Sequence, residues 1–456
     1  MGKNVLRNTA VLALLVLGAL LLLHGLPSFE VGGHRMRRVD LLADVRPLPP
    51  AEADADSLLP PPPRVKPAFV DSCPPDMTCI EDYGDSSGRG MAAFYRALDE
   101  ASRRPVRIAY FGDSFIEGDI LTADLRALLQ TRYGGCGVGY VDITSPIKDF
   151  RPTVRHAFAG WESHAWTDST GFDRRLQGIA GRYYFIPRNG AYVELRGQTD
   201  YASRLDTCRR AGIFFSSRGK TTLAVRVNGG EKRTRSYGAS GDLQEAAVEG
   251  HIGQVRWTVE QADSAIFYGL FLDDVRGIAL DNFSLRASSG LSIRTIPEDM
   301  LRAFGELRPY DLIVLQYGLN IATEQGRNYD RYVAGMRTSI DRIKVAFPGA
   351  SILLVGVGDR DWRDEDGRLQ TMPGIRHLLR YQQNLAADNG LAFWNLFEAM
   401  GGSKSMAALV EADPPMANLD YTHINFRGGK HLASLLYQAL MHGKEQFDKR
   451  RAYELE

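Results

Sequence analysis

Apolar residues in this chain form short continuous runs and longer stretches with helical spacing. The run Val106–Phe111 ends in Gly112-Asp113-Ser114, and a helix-like stretch from 119 to about 133 follows it. A continuous apolar run of this length is typical of a buried strand, so the segment should form a strand, a tight turn and a helix. Helically spaced apolar residues predict a further helix over 90–102.

The same alternation resumes far downstream. The predicted strands are Leu312–Gln316, Ile352–Val357 and the strand-like Phe393–Phe397, and the predicted helices are 329–347, one after Pro373 and a last one after Asn425. Strands that alternate with helices favour an α/β fold with a parallel sheet covered by helices on both faces.

The pattern between these two parts is different. Six short runs rich in β-branched and aromatic residues occur there: 183–186, 192–195, 213–215, 223–227, 255–259 and 266–272. Together with the turn signal Asn228-Gly229-Gly230 they predict an all-β insertion of sandwich type. We therefore divide the chain into 1–30, a linker at 31–70, the first part of the α/β domain at 71–141, the insertion at 142–285 and the second α/β part at 286–445.

The N-terminus has the pattern of a membrane-targeting segment. Lys3 and Arg7 precede the uninterrupted apolar run Ala10–Leu23. No convincing small-x-small cleavage site follows, which favours an uncleaved signal anchor over a removed signal peptide. The absence of a polar face disfavours a buried core helix. The following linker is rich in proline, with four in a row at Pro60–Pro63, and predicts a semi-rigid spacer.

Composition narrows the choice of partners. The 456 residues carry 55 Lys and Arg against 55 Asp and Glu, so no broad positive field exists to hold nucleic acid. Four cysteines are too few for a disulfide scaffold. Cys73 and Cys79 lack zinc-site spacing, and one local disulfide in an oxidising compartment is the better interpretation.

Three segments could supply the groups of a nucleophilic serine site. Ser114 follows a predicted strand and precedes a helix, at the edge where open α/β sheets bind ligands. Asp420 and His423 lie three residues apart, so that one turn could provide a base and the carboxylate that orients it. Asn320, in Gly318-x-Asn320, ends another predicted strand and could donate to a developing oxyanion. Each motif alone is common and has a structural explanation as a turn or a helix cap.

Together, in this order, the three motifs resemble the SGNH or GDSL-type hydrolases. The matching residues are Phe111-Gly112-Asp113-Ser114, Gly318-x-Asn320 and Asp420-x-x-His423, and the resemblance covers 80–141 and 283–440. It implies a Ser-His-Asp esterase with a three-layer α/β/α fold and an oxyanion hole formed by the N–H of Ser114, a glycine N–H and the asparagine amide. Ala287 stands where that glycine is usual, and Gly290 is a second candidate. The resemblance requires no cofactor and no metal.

Within that family the chain looks like the bacterial peptidoglycan O-acetylesterases with a carbohydrate-binding-module-like insertion. This resemblance implies an acetylated glycan as substrate. Together with the N-terminal segment it predicts a periplasmic catalytic domain anchored in the inner membrane, or an exported protein if the signal is cleaved. Two alternatives remain open: an O-acetyltransferase with the same triad, and a membrane-tethered glycan-binding protein whose triad is vestigial. Most aromatic residues of the insertion should fill its core, with a few free to stack on sugar.

Overall fold

A computed structural model describes residues 2–25, 29–31, 34–36, 73–84, 90–168 and 170–455. The chain divides into two compact units, one of residues 1–58 and 363–368 and one of all the others. The residues before the insertion form these elements: α1 Gly2–Gly25, β1 Phe29–Val31, β2 His34–Met36, β3 Glu81–Asp82, α2 Ala92–Asp99, β4 Pro105–Gly112 and α3 Thr122–Tyr133.

The predicted N-terminal anchor forms a helix, α1. None of the helices described is both long enough and apolar enough to cross a membrane. Most of the predicted linker at 31–70 lies outside the described residues, although β1 and β2 pair as a short antiparallel hairpin where it begins.

Eleven strands follow in the middle of the chain: β5 Gly139–Val141, β6 Val154–Ala159, β7 Glu162–Ala165, β8 Arg182–Phe185, β9 Tyr192–Gly197, β10 Cys208–Ser217, β11 Thr221–Val227, β12 Arg233–Tyr237, β13 Ser240–Ile252, β14 Gln254–Ala262 and β15 Ala265–Asp273. They pair antiparallel in two sheets, one in the order β13-β10-β15-β8-β7 with β5 beside β15, the other in the order β12-β11-β14-β9-β6. Buried Phe215 and Phe267 from the first sheet share one core with Val193 and Trp257 from the second. Two sheets around one core form a sandwich, as predicted.

The remaining elements complete the α/β part: β16 Gly277–Ser284, α4 Glu298–Leu307, β17 Leu312–Gln316, α5 Asp330–Ala346, β18 Ser351–Val355, β19 Asp361–Arg363, β20 Leu369–Thr371, α6 Gly374–Asp388, β21 Ala392–Trp394, α7 Leu396–Ala399, α8 Ser405–Glu411 and α9 Phe426–Leu455. Six strands form one sheet in the order β16-β4-β17-β18-β21-β3. The first five are parallel, and β3 is antiparallel at the edge. The sheet is therefore mixed rather than purely parallel.

Helices of this α/β part form two groups. α9 contacts α2 and α3, whereas α5 contacts α4 and α6. Two groups are what a three-layer arrangement requires, and that finer architecture stays a prediction.

Several boundaries differ from the sequence prediction, among them both ends of the insertion, since β5 at Gly139–Val141 already pairs with β15 of the sandwich. Gly277–Ser284 pairs in parallel with β4 and so belongs to the mixed sheet, although the predicted insertion extended to 285. The predicted strand Phe393–Phe397 ends at Trp394, because the Asn395 side chain accepts a hydrogen bond from Glu398 N–H and begins helix α7.

A buried arginine ties the sandwich to the mixed sheet. Arg308, at the end of α4, is 1% exposed and forms ion pairs with Asp273, the last residue of β15, and with Asp281 in β16. Tyr310 and the backbone N–H of Tyr140 also donate to Asp281. Despite the cost of burial, the two carboxylates raise the pKa of Arg308 well above its ordinary value, so the network is held in its charged form.

Replacing Arg308 should therefore destabilise the protein strongly. We expect Arg308→Met to lower the free energy of unfolding by about 3–5 kcal/mol, because Asp281 is then left without an ion-pair partner among the described residues and Asp273 keeps only Arg107, at 4.0 Å. The control is Arg302→Met, which removes an exposed ion pair of the same helix with Asp299 and should cost less than about 1 kcal/mol. Urea unfolding of both variants measures the difference, and equal losses would contradict the assigned role.

Candidate active site

The register of three parallel strands brings the predicted motifs to one edge of the mixed sheet. Gly112, the last residue of β4, lies opposite Ser284 of β16 on one side and Gln316 of β17 on the other. The chain segments that continue from these three positions therefore leave the sheet side by side. They carry Ser114, Ala287 and Asn320 respectively.

Ser114, His423 and Asp420 form a continuous chain of hydrogen bonds. The distance from Ser114 Oγ to His423 Nε2 is 3.0 Å, and that from His423 Nδ1 to Asp420 Oδ2 is 2.7 Å. Ser114 and His423 are 309 positions apart in sequence. This geometry allows the imidazole to take a proton from the serine while the carboxylate fixes its tautomer.

Asp420 also builds the turn that holds the histidine. Its Oδ1 accepts hydrogen bonds from the backbone N–H groups of Thr422 and His423. Partial burial opposes ionisation, but these bonds and the one from the imidazole lower the pKa of Asp420 overall. Tyr421, which lies between Asp420 and Thr422 in the sequence, has a φ of 53°, a strained value for a side chain of this size. The backbone N–H of Asp361 supports the turn by donating to Tyr421 O.

Asn320 reaches the site, but its amide hydrogens are already engaged. Its Nδ2 donates to Asp113 Oδ2 at 3.1 Å and to Ser288 O at 2.9 Å. An amide nitrogen carries two hydrogens, so one of these bonds must give way before Asn320 can donate to an oxyanion.

The two candidates for the third donor differ in availability. Ala287 has a φ of 59°, and within the described residues its N–H has no hydrogen-bond acceptor. The N–H of Ser114 likewise lacks one there. The N–H of Gly290 donates to Ser288 Oγ, so this second candidate is occupied. A left-handed backbone explains why glycine would be favoured at 287.

Sequence reasoning missed the part played by Asp113. This residue is 2% exposed; its Oδ1 accepts from Phe115 N–H and its Oδ2 accepts from Asn320. Burial raises the pKa of Asp113 to about 6, in spite of the opposing effects of the Phe115 N–H and of nearby His423. Its position beside Ser114 in the first motif was visible in the sequence, but its contact with a residue 207 positions away was not.

A polar cleft lies between the mixed sheet and the sandwich, and its lining includes Glu117, three residues after Ser114. Its empty space, open solvent included, is about 590 Å³. Polar side chains from both sides line it, among them Glu117, Asp142, Arg182 and Asn282. Arg182 and Asp142 pair at 3.4 Å, and Asp142 Oδ1 and Asn282 Oδ1 have no hydrogen-bond partner within the described residues. Hydroxyl groups, which donate and accept, suit such a lining.

The large aromatic side chains of the insertion divide into buried and half-buried ones. Tyr183, Tyr184 and Trp257 are buried in the insertion, whereas Trp161 and Trp166 are half-buried. Burial raises the pKa of the Cys136 thiol to about 12 and also raises that of Cys208, which makes both poor nucleophiles. Among the described residues, no group of three or more His, Cys, Asp or Glu side chains could hold a metal ion.

Comparison with solved structures finds the same fold in a peptidoglycan O-acetylesterase. The alignment covers 80% of this chain and 99% of that one, with 20% sequence identity and a TM-score of 0.65. A family two carbohydrate esterase from Clostridium thermocellum, in complex with cellohexaose, aligns over 63% of this chain and 100% of its own at 12% identity, with a TM-score of 0.28. One from Cellvibrio japonicus aligns over 65% and 98% at 8% identity, with a TM-score of 0.25.

The first of these likenesses confirms the resemblance at the level of the fold. The two carbohydrate esterases align too loosely to carry an argument. No protein-family model matches the chain, and no curated protein sequence does.

The raised pKa of Asp113 predicts a pH dependence of stability. Because the folded value is about 6 and the ordinary value 3.8, the folded protein binds the proton more tightly, and stability falls as pH rises between about 4 and 6. We expect Asp113→Asn to remove this loss of about 2–3 kcal/mol. Urea unfolding of both proteins at pH 4 and pH 7.5 measures it. If the difference in free energy of unfolding between the wild type and Asp113→Asn is the same at both pH values, the raised pKa of Asp113 is contradicted.

Proposed function

We propose that the protein is a serine esterase that removes O-acetyl groups from a glycan of the bacterial cell envelope, with peptidoglycan as the expected polymer. The observation that carries the proposal is the hydrogen-bonded chain from Ser114 Oγ through His423 to Asp420. The fold shared with a peptidoglycan O-acetylesterase supports the choice of substrate.

The proposed reaction has two halves. His423 removes the hydroxyl proton of Ser114, whose oxygen attacks the acetyl carbonyl, while Asp420 stabilises the imidazolium. The sugar hydroxyl leaves with the proton from His423, and an acetyl-serine remains. Water, activated by the same histidine, then releases acetate and restores Ser114.

Stabilisation of the tetrahedral oxygen would come from three donors. The N–H groups of Ser114 and Ala287 have no acceptor within the described residues and are ready to donate. Asn320 joins them when the bond from its amide to Asp113 or to Ser288 is exchanged for one to the oxyanion. Each such donor is typically worth about 10² to 10³ in rate.

The test is acetate release from acetylated peptidoglycan, xylan and other envelope glycans. We expect hydrolysis by the wild type and a loss of at least about 10³-fold in Ser114→Ala, because the acyl-enzyme can no longer form. Ser163→Ala, an exposed serine of β7, is the control and should behave like the wild type.

Two outcomes of this test favour the alternatives. Acetyl groups found on an added glycan acceptor, rather than as free acetate, would identify an O-acetyltransferase. Unchanged ester hydrolysis in Ser114→Ala, with glycan binding retained, would favour a glycan-binding protein.

We further propose that the catalytic part works outside the cytoplasm, in the cell envelope. The apolar run at Ala10–Leu23 supports export, and the disulfide between Cys73 and Cys79 suits an oxidising compartment.

Thiol labelling of denatured protein from cells tests this location. Without reductant, only the free thiols of Cys136 and Cys208 should react with a maleimide, and reduction should expose the two others. A version without residues 1–30, retained in the cytoplasm, should show four reactive thiols at once. Four reactive thiols in the full-length protein without reduction would argue against export.

A further inference from the structure

One face of the sandwich carries arginines from four neighbouring strands. In the sheet ordered β12-β11-β14-β9-β6, Arg226 of β11 lies directly opposite Arg256 of β14, and Arg196 of β9 directly opposite Arg155 of β6. Residues opposite each other in an antiparallel pair project from the same face. Glu194 lies opposite Arg256 and two residues before Arg196, so both arginine pairs share one face, which we call the arginine face.

The arginine face is the solvent side of the sheet. Arg155, Arg196 and Arg226 are exposed, and the side chain of Arg256 is 40% exposed. The residues that alternate with them point the other way into the core, as buried Val193, Val225 and Trp257 illustrate. None of the four arginines therefore has a packing role in the sandwich core.

The charges of this face are not balanced. Arg256 pairs with Glu194 at 3.5 Å, and Arg155 pairs with Asp200 at 3.3 Å. Arg196 and Arg226 form no ion pair with any described residue. Like charges directly opposite each other in a sheet are unfavourable, and this sheet has two such pairs. The protein as a whole has a formal charge of zero, so the excess positive charge is local.

The same face offers little surface for stacking on sugar rings. Its aromatic residue Tyr192 lies beneath the Arg256 guanidinium, 3.6 Å from the ring centroid, and this contact orients the cation. Gln254, Thr234 and Thr258 are the polar neighbours on this side of the register. Charge, rather than aromatic stacking, is therefore what this face presents to a ligand.

We propose that the arginine face binds a glycan strand that carries carboxylate groups, a proposal that rests on the glycan esterase function proposed above. Guanidinium groups match carboxylates as paired donors, and they do so better than ammonium groups. Neighbouring strands lie about 4.8 Å apart, so four strands spread the cations along a band that suits an extended polymer rather than one small anion. The face thereby holds an acidic polymer on the insertion while the ester is hydrolysed at Ser114.

Affinity electrophoresis through gels with polygalacturonate, polyphosphate or dextran tests this proposal. The wild type should be retarded by polygalacturonate, less so as salt is raised, and not by neutral dextran. Arg196→Gln combined with Arg226→Gln should weaken the apparent affinity by at least about tenfold. Arg103→Gln combined with Arg331→Gln removes the same charge from two exposed arginines of the α/β part and should change it less than about twofold.

Four other results would overturn the proposal. Absence of retardation by polygalacturonate, or equal losses in the two double variants, would show that the arginine face does not bind the acidic polymer. Stronger retardation by polyphosphate would assign it to phosphate polymers, and equal retardation by dextran would exclude recognition by charge. Ser114-dependent acetate release by the wild type, measured on the same preparation, tests the esterase separately. If acetate release is absent while polygalacturonate binding is intact, only the proposed esterase activity is contradicted.

Discussion

Parallel pairing of β4 with both β16 and β17 is the constraint on which the candidate site depends. Because Gly112 lies opposite Ser284 and Gln316, three chain segments distant in sequence leave the sheet at a common level. A shift of one residue in either pairing would turn alternate side chains to the other face and move the donors away from Ser114. The catalytic geometry therefore depends first on the register of the sheet and then on the individual side chains.

The sequence was most informative where a local signal was strong. The strand Leu312–Gln316 was predicted with the bounds it has in the structure, because an unbroken apolar run and its flanking turn define it. The Ser114, Asn320 and His423 motifs could be assigned to strand or helix ends for the same reason. The strands Arg233–Tyr237 and Ser240–Ile252 were missed, since polar and charged residues dominate them and only pairing with neighbours makes them strands.

Long-range electrostatics was invisible to sequence reasoning. Nothing in the sequence near Asp113 indicates that its carboxylate holds the Asn320 amide. Asp359 and Asp361 lie in a stretch rich in charged residues, yet both are buried and accept hydrogen bonds from the backbone N–H groups of Met406 and Ala407 in the first turn of helix α8. Such partners come together only when the chain has folded, and no periodicity records them.

The position of Arg308 has a consequence for how the insertion should be viewed. One of its carboxylate partners, Asp273, ends the last strand of the sandwich, and the other, Asp281, belongs to the mixed sheet. Removal of the sandwich would leave Arg308 buried without one of its two carboxylate partners. The sandwich could therefore be removed, or moved to another protein, only together with a replacement for the carboxylate of Asp273.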